Sequence, residues 1–281
     1  MDRVLDFHVH LPTASFVSTL RPFVESINAY FRTNLVQKDV GDAIEELRGQ
    51  GVTKAVLLPI DAYRLTGVRG DTNELMARIQ DEHRDFFVCF ATVDPHGPKA
   101  AEELEDALTR LGLRGLKLHP QLQDVRPNDP KLYPVYAVAE RHGVPVLVHT
   151  GTSGIGAGMP GGGSMRLDYG RPIHLDEVAA VFPKLDLILA HFGWPWHEEA
   201  LAIALHKRNV YIDLSGWLPK YIPQTVMRYV DTLLRNKALF GSDYPMLSPA
   251  RCLEQFRASG LRPETLERVL YANGAELLKL T

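Results

Sequence analysis

Short apolar stretches alternate with amphipathic segments along the whole chain. The apolar stretches are rich in β-branched residues and have the length of strands, whereas the segments between them repeat apolar residues at helical spacing. Eight strands are predicted, at 3–9, 53–59, 85–92, 113–118, 144–149, 185–190, 209–214 and 237–241. Eight helices are predicted between and after them, at 39–49, 71–82, 98–111, 131–142, 174–182, 196–207, 222–235 and 249–258.

Strands that alternate with helices predict parallel βαβ units, and eight such units fit a closed (β/α)₈ TIM barrel. The rival is a doubly wound open sheet, but no Gly-x-Gly-x-x-Gly follows an early strand, so its usual nucleotide-binding motif is missing. The chain of 281 residues is predicted to form one barrel domain, 1–281. Two short helical stretches in the tail 263–280 are expected to pack across the bottom or side of the barrel.

Two segments, 11–38 and 150–173, interrupt this rhythm. The second is glycine-rich and contains Gly151, Gly154, Gly156, Gly158, Gly161, Gly162 and Gly163. Both follow the C-terminal ends of strands, where the active sites of barrel enzymes lie. We therefore interpret them as lid-like insertions, the alternative being flexible surface loops without a function.

Composition excludes several classes of protein. The 31 basic and 34 acidic residues give a net charge of −3, and no basic block stands out, so we expect no nucleic-acid partner. Cys89 and Cys252 fit no Cys-x-x-Cys metal pattern. The first residues lack the apolar core of a signal peptide, and no window approaches the roughly 18 apolar residues of a membrane span. We expect a cytoplasmic protein that acts on a small molecule away from the membrane.

The first strand carries Asp6-Phe7-His8-Val9-His10. Alternate side chains of a strand share a face, so Asp6, His8 and His10 are predicted to face the barrel interior. Phe7 and Val9 are predicted to face the surrounding helices. Two imidazoles about 7 Å apart along a strand can converge on one ion where the strand end curves. For this motif alone, two hydrogen-bonded histidines without a metal are an equally good interpretation.

Three more strands end in residues of metal-binding type. His149 ends the fifth strand, His191 the sixth and Asp243 the eighth. Burying so many ionisable groups in one cavity is costly unless a cation or mutual pairing offsets the cost, which favours a metal centre. Imidazoles with one carboxylate suit Zn²⁺ best, with Mn²⁺, Fe²⁺ or Co²⁺ as the other candidates. One such ion would lower the pKa of water towards neutrality.

This pattern resembles the amidohydrolase superfamily. The resemblance rests on Asp-x-His-x-His, on the histidines ending the fifth and sixth strands, and on Ser242-Asp243-Tyr244-Pro245. The stretches 171–178, 182–183, 190–196 and 209–215 are similar to the branch that contains aminocarboxymuconate-semialdehyde decarboxylase and related aromatic-acid decarboxylases.

The resemblance implies roles for these residues. It implies a single metal held by four ligands, which here are His8, His10, His149 and Asp243. It places His191 beside the metal, where the ring would orient or deprotonate the water, and Asp243 could also accept a proton. A homodimer is a family expectation only.

Lys117 and His119 share one face of the fourth strand, so both are predicted to point into the barrel mouth. In two-metal members of the superfamily a lysine at this strand is carboxylated and bridges the ions, but the single-metal branch does not use that bridge. We therefore expect Lys117 to anchor a substrate carboxylate or brace the ligands. A partly exposed structural lysine is the alternative, and His119 has the same two interpretations.

Further substrate contacts are predicted in the loops. Aromatic walls with an arginine suit a planar acidic ligand. The candidates are Arg166, Tyr169, Arg171, Trp194, Trp196 and Trp217. The alternative for Trp194 and Trp196 is that they plug the barrel rim or form a dimer contact.

Three functions are compatible with these residues. The favoured one is a metal-dependent hydrolase that uses a metal-activated water on a small, acidic lactone, amide or ester. The second is a non-oxidative decarboxylase of a small aromatic or unsaturated acid, which would use the same ligands. The third is a catalytically silent barrel that acts as a binding protein, although no ligand position is lost here.

Overall fold

The computed structural model describes residues 3–280, so Met1, Asp2 and Thr281 lie outside the described range. It confirms the predicted (β/α)₈ barrel, and every observed strand lies within its predicted range. The strands are β1 Leu5–Val9, β2 Lys54–Leu57, β3 Phe87–Cys89, β4 Leu116–Leu118, β5 Val146–Val148, β6 Leu187–Leu189, β7 Val210–Asp213 and β8 Ala238–Leu239.

All neighbouring strands run parallel, in the orders β1-β2-β3 and β4-β5-β6-β7-β8. Backbone hydrogen bonds at both seams close the ring. At the first seam the Lys117 N–H donates to the Ala91 carbonyl at 2.8 Å, and at the second the Phe7 N–H donates to the Phe240 carbonyl at 2.8 Å. The C-terminal ends of all eight strands therefore lie on one rim, as the sequence requires for a shared site.

The predicted helices are all present. Four others were not predicted: two lie in the first insertion, and two short ones, Tyr63–Thr66 and Pro120–Gln123, follow β2 and β4. The helix predicted at 222–235 is shorter, Gln224–Val230. No helix among residues 3–280 is long and apolar enough to cross a membrane. The helices are α1 Ala14–Thr19, α2 Val24–Phe31, α3 Val40–Gly49, α4 Tyr63–Thr66, α5 Asn73–Glu82, α6 Ala100–Thr109, α7 Pro120–Gln123, α8 Tyr133–His142, α9 His174–Val181, α10 His197–His206, α11 Gln224–Val230, α12 Pro249–Arg257, α13 Pro263–Glu267 and α14 Asn273–Leu277.

Strand side chains divide into two apolar layers. Leu116 and Leu118 belong to the outer layer, which packs against the helices. The inner layer contains Leu147 and Ile188 together with Leu277 and Leu278 of the tail. The tail therefore closes the bottom of the barrel, one of the two positions expected for it, and leaves the opposite rim for polar residues.

Phe7 departs from the predicted alternation. It was expected to face the helices, but it packs inside the barrel against Phe90, with the ring centroids 6.1 Å apart. The prediction was wrong because the pairing of β1 with β2 shifts register between Asp6 and Val9. Such an irregularity re-aims the side chains that follow it. Val9 faces outwards as predicted.

Candidate metal centre and active site

The predicted ionisable residues meet in one cavity at the C-terminal rim of the barrel. Its volume is about 40 Å³. Its polar walls come from the ends of β1, β4, β5, β6 and β8, and its roof comes from the two insertions and neighbouring loops. The polar lining residues are His8, His10, Lys117, His119, His149, His191, Asp243 and Ser153.

Two of these side chains depend on unusual backbone conformations. His191 has φ 58° and Asp243 has φ 66°, so both lie in the left-handed region. L-residues occupy this region at a cost of about 1–2 kcal/mol, and such conformations concentrate at functional sites. The backbone turn after β6 sends His191 into the cavity and Phe192 into the outer core.

His8, His10 and Asp243 form a group that fits a metal ion. One ligand atom from each lies within 4.8 Å of the other two. Asp243 Oδ1 is 3.5 Å from His8 Nε2 and 3.7 Å from His10 Nε2. These distances are too long for hydrogen bonds, but two ligands about 2.1 Å from one tetrahedral ion lie about 3.4 Å apart. The group is therefore spaced like the ligands of a shared ion.

The second nitrogen of each of these histidines is held by an acceptor. His10 Nδ1 donates to the Leu58 carbonyl at 2.7 Å, and His8 Nδ1 donates to Asp213 Oδ2 at 2.6 Å. Both rings therefore carry their proton on Nδ1 and present the lone pair of Nε2 to the cavity. Metal-binding histidines are commonly oriented in this way.

Asp213 and Ser215 support the site but were not identified as functional residues from the sequence. Both are fully buried, and Ser215 Oγ donates to Asp213 Oδ2 at 2.6 Å. The signal was present, because Tyr211, Asp213 and Ser215 alternate with apolar residues at the end of β7. The same reasoning that singled out the ends of β5, β6 and β8 would have found them.

His149 and His191 face each other across the cavity. His149 Nε2 donates to the Thr152 carbonyl at 3.1 Å, which leaves a lone pair on its Nδ1. Since the Ser215 hydroxyl donates to Asp213, His191 Nδ1 donates to Ser215 Oγ at 3.0 Å, which leaves a lone pair on His191 Nε2. The two free nitrogens are only 3.1 Å apart, an arrangement that requires a shared proton or a nearby cation. The role of His149 as fourth ligand stays a prediction.

Burial changes the protonation of the whole cluster. It raises the pKa of Asp243 to about 7, against the opposing effect of the Lys117 ammonium. It lowers the pKa of His10 to about 3, helped by the same ammonium. It also lowers the pKa of Lys117 to about 8, although Asp243 and Asp213 oppose this shift. Buried neutral histidines beside carboxylates that resist ionisation indicate a site that a cation would stabilise.

Lys117 and His119 both face the cavity, as predicted from strand alternation. Lys117 Nζ lies 3.3 Å from His8 Nε2, so its ammonium donates to that lone pair. The His119 ring stacks on His149 with centroids 3.9 Å apart and an interplanar angle of 12°. His119 Nδ1 is buried and has no hydrogen-bond partner. Lys117 therefore contacts a predicted ligand. Its role as a brace, and the contact of Lys117 and His119 with substrate, stay predictions.

The two insertions cover the cavity together. Phe16 and Leu20 of the first insertion pack in one apolar cluster with Ile155 of the second. The Gly156 N–H donates to Ser26 Oγ at 3.1 Å across the same boundary. The roof is therefore a packed contact between both insertions, and their role as a lid stays a prediction.

Gly154 lies at this contact, and replacing it with alanine should loosen the roof. A Cβ at Gly154 would lie 2.4 Å from Phe31 Cε2 and 2.7 Å from Tyr30 Cδ1. We expect the free energy of unfolding to fall by about 1–3 kcal/mol in urea denaturation, because overpacking forces side chains to move. Gly41→Ala is the control, since a Cβ there meets nothing within 4 Å. Equal stability of G154A and wild type would contradict this packing.

Six side chains predicted to contact substrate do not line this cavity. Arg171 is paired with Glu199, and Arg166 binds Tyr169 and lies 3.5 Å from Asp124, because each guanidinium finds a nearer partner in the loops. Trp194 and Trp217 pack against each other and against the outer core, with ring centroids 4.7 Å apart. The six are Arg166, Tyr169, Arg171, Trp194, Trp196 and Trp217.

Comparison with known proteins identifies the family. A family model described as amidohydrolase matches residues 6–280. Among curated proteins, Protein fluG of Emericella nidulans is 32% identical over 75 residues. That match covers 27% of this chain and 8% of the fungal protein, so the chain corresponds to a small part of that relative.

Solved structures show the same fold over the full chain. An uncharacterised TIM-barrel protein from Bordetella bronchiseptica has a TM-score of 0.81 at 23% identity, covering 99% of this chain and 98% of its own. A dihydroxybenzoic acid decarboxylase from Polaromonas with bound manganese has a TM-score of 0.74 at 16% identity. The match covers 100% of this chain and 98% of the decarboxylase. A probable 2-pyrone-4,6-dicarboxylic acid hydrolase from Acinetobacter baumannii has a TM-score of 0.70 at 16% identity. The match covers 99% of this chain and 100% of the hydrolase. At these identities the likeness shows the fold alone.

Proposed function

Because the chain belongs to the amidohydrolase family, we propose that it is a metal-dependent hydrolase that cleaves a small ester, lactone or amide. The observation that carries the proposal is the spacing of His8, His10 and Asp243 beside a histidine, His191, that binds Ser215 through one nitrogen. An ion held there, for which we propose Zn²⁺ with His149 as fourth ligand, would polarise the substrate carbonyl and lower the pKa of water.

The residues of the chain supply the proton transfers. His191 Nε2 faces the cavity with a free lone pair, so it can accept a proton from a water molecule and return it to the leaving group. Ser215 and Asp213 hold the ring in the tautomer that this step requires. Lys117 Nζ lies 3.3 Å from His8 Nε2, on the cavity side of that ring. Phe16, Leu20 and Ile155 give the cavity an apolar roof, and a low dielectric strengthens these interactions.

The side chains of the cavity offer few cationic partners to the acidic substrate expected from the sequence. Among residues 3–280, Lys117 is the one lysine that lines the cavity. The carboxylates of Asp243 and Asp213 lie close enough to interact with its charge. No arginine lines the cavity in this part of the chain. A carboxylate of the substrate would therefore have to pair with Lys117 or with the proposed ion, so we propose a substrate whose other groups are uncharged.

A decarboxylase is the second candidate. Phe16, Leu20 and Phe31 give the roof apolar and aromatic surfaces that suit a planar ring. Lys117 would then have to meet the carboxylate of the substrate. The ligand set serves this reaction equally well, so an experiment has to separate the two.

Chelation followed by metal reloading, with two product assays, tests the proposal. Protein freed of metal should not hydrolyse a panel of uncharged esters, lactones and amides, and Zn²⁺, Mn²⁺, Fe²⁺ or Co²⁺ should restore hydrolysis. An Asp243→Asn sample purified in the same way controls for contaminating esterases. Release of CO₂ from aryl or muconate-like acids without hydrolysis of any panel member would replace the hydrolase with the decarboxylase. Stoichiometric metal binding with neither reaction would support a silent binding protein.

A further inference from the structure

We call the cavity at the C-terminal rim, which holds His8, His10 and Asp243, the metal cavity. A second, larger depression adjoins it. Its volume is about 590 Å³, and it is formed mainly by the glycine-rich insertion, the end of α2 and the loop after β6. We call it the apolar groove and define it by Tyr30, Ile155, Met159, Met165, Leu167 and Trp194. Nothing in the chemistry described above uses it.

The groove and the metal cavity share a wall. Ser153 and Ile155 line both spaces. At the end of α2, Phe31 lines the cavity while the adjacent Tyr30 lines the groove, and their rings are 5.0 Å apart. The groove and the metal cavity therefore lie side by side, separated only by these side chains.

The size of the cavity requires an extension for larger substrates. A cavity of about 40 Å³ has room for about three water molecules, because each needs roughly 10–15 Å³ of such space. A carbonyl with small substituents fits there, but a larger acyl or leaving group does not. Such a group must lie in an adjoining space, and the groove shares two lining residues with the cavity.

The lining of the groove determines what can bind there. Among the described residues, the thirteen that line the groove include no charged side chain. The large side chains among them are methionine, leucine, isoleucine, tyrosine and tryptophan, and thioethers pack well against aromatic rings. Leu167 and Tyr30 keep 47% and 44% of their surface exposed, so apolar surface remains available to a ligand.

We propose that the groove is a substrate subsite for an uncharged, apolar acyl or leaving group, with aromatic groups preferred. The proposal rests on the proposed hydrolase and adds the substrate class to it. The substrate is an ester, lactone or amide whose carbonyl enters the metal cavity past Ser153 and Ile155. Its apolar group lies against Met165, Leu167 and Trp194.

Binding of two ketones tests the subsite without depending on turnover. The probes are 4-phenyl-2-butanone, which is uncharged with an aromatic group, and 4-oxopentanoate, which carries a carboxylate. Tryptophan fluorescence of the metal-loaded protein reports their Kd, because Trp194 lines the groove. We expect the phenyl ketone to bind at least about tenfold more tightly, since it buries apolar surface.

Two matched substitutions locate this binding. Leu167→Glu places a charge in the groove, and Leu233→Glu makes the same change at a leucine that is 72% exposed and lies outside the groove. Leu167→Glu should remove the preference for the phenyl ketone, and Leu233→Glu should preserve it. Equal affinities for both ketones, tighter binding of the carboxylate, or an unchanged preference in Leu167→Glu would overturn the subsite. If the phenyl ketone binds as expected but no panel substrate is hydrolysed, the proposed function fails and the subsite stands.

Discussion

Replacing His191 with alanine is expected to lower kcat by about 10²–10⁴-fold while the protein keeps most of its metal, as for loss of a general acid–base group. The reason is that Ser215 holds His191 Nδ1 and leaves Nε2 as a proton acceptor in the cavity. Replacing His149 with alanine is expected to remove the metal and the activity together, because a predicted ligand is lost. Metal content is measured by elemental analysis and kcat with the best substrate of the panel.

The 3.1 Å contact between His149 Nδ1 and His191 Nε2 makes this comparison informative, since both nitrogens face the same space. His206→Ala, at the exposed end of α10, is the control and should change neither metal content nor kcat. Equal metal loss in H149A and H191A would reassign His191 as a ligand and move the proton acceptor to Asp243.

Asp213→Asn is the second substitution with a large expected effect. Asp213 Oδ2 accepts from His8 Nδ1 and from Ser215 Oγ, both at 2.6 Å, and Oδ1 accepts from the Ser215 N–H at 2.9 Å. Asparagine has only one oxygen, so its amide nitrogen must face a donor on one side. His8 would lose its preferred tautomer, and metal affinity should fall by about 10–100-fold, as is typical when a group that orients a ligand is removed.

Competition with a chelator of known affinity measures this loss. Asp186→Asn is the control, because Asp186 precedes β6 at the opposite end of the barrel. Unchanged metal affinity in D213N, with a folded protein by circular dichroism, would mean that His8 is not oriented by Asp213 in the metal-bound state.

Much of the metal cavity followed from local sequence pattern. Lys117 and His119 face inwards because strand alternation is a property of the backbone that few neighbours can override. The convergence of His8, His10 and Asp243 also followed, since parallel strands in a barrel bring their C-terminal ends to one rim. Asp213 was missed although the same rule covers it, because a short apolar strand with one carboxylate resembles ordinary core sequence.

Phe7 marks the limit of that approach. Its orientation depends on the register between β1 and β2. A bulge in this pairing cannot be predicted from the alternation of residues in β1 alone.

The arginines of the glycine-rich insertion show a second limit. Arg166 and Arg171 were expected near the substrate from their place in the chain, but Asp124 and Glu199 lie closer to them in the folded loops. Long loops have no periodicity from which such partners can be predicted.

The sequence by itself determined the barrel and the set of side chains at its rim, because both depend on hydrophobic periodicity and on strand ends that the fold must bring together. Only the tertiary structure decided which nitrogen of each histidine faces the cavity, since that depends on distant acceptors such as Asp213 and the Leu58 carbonyl. It also decided that the insertions meet over the metal cavity and leave an apolar groove beside it. Those contacts join segments more than a hundred residues apart, and packing rather than local preference selects them.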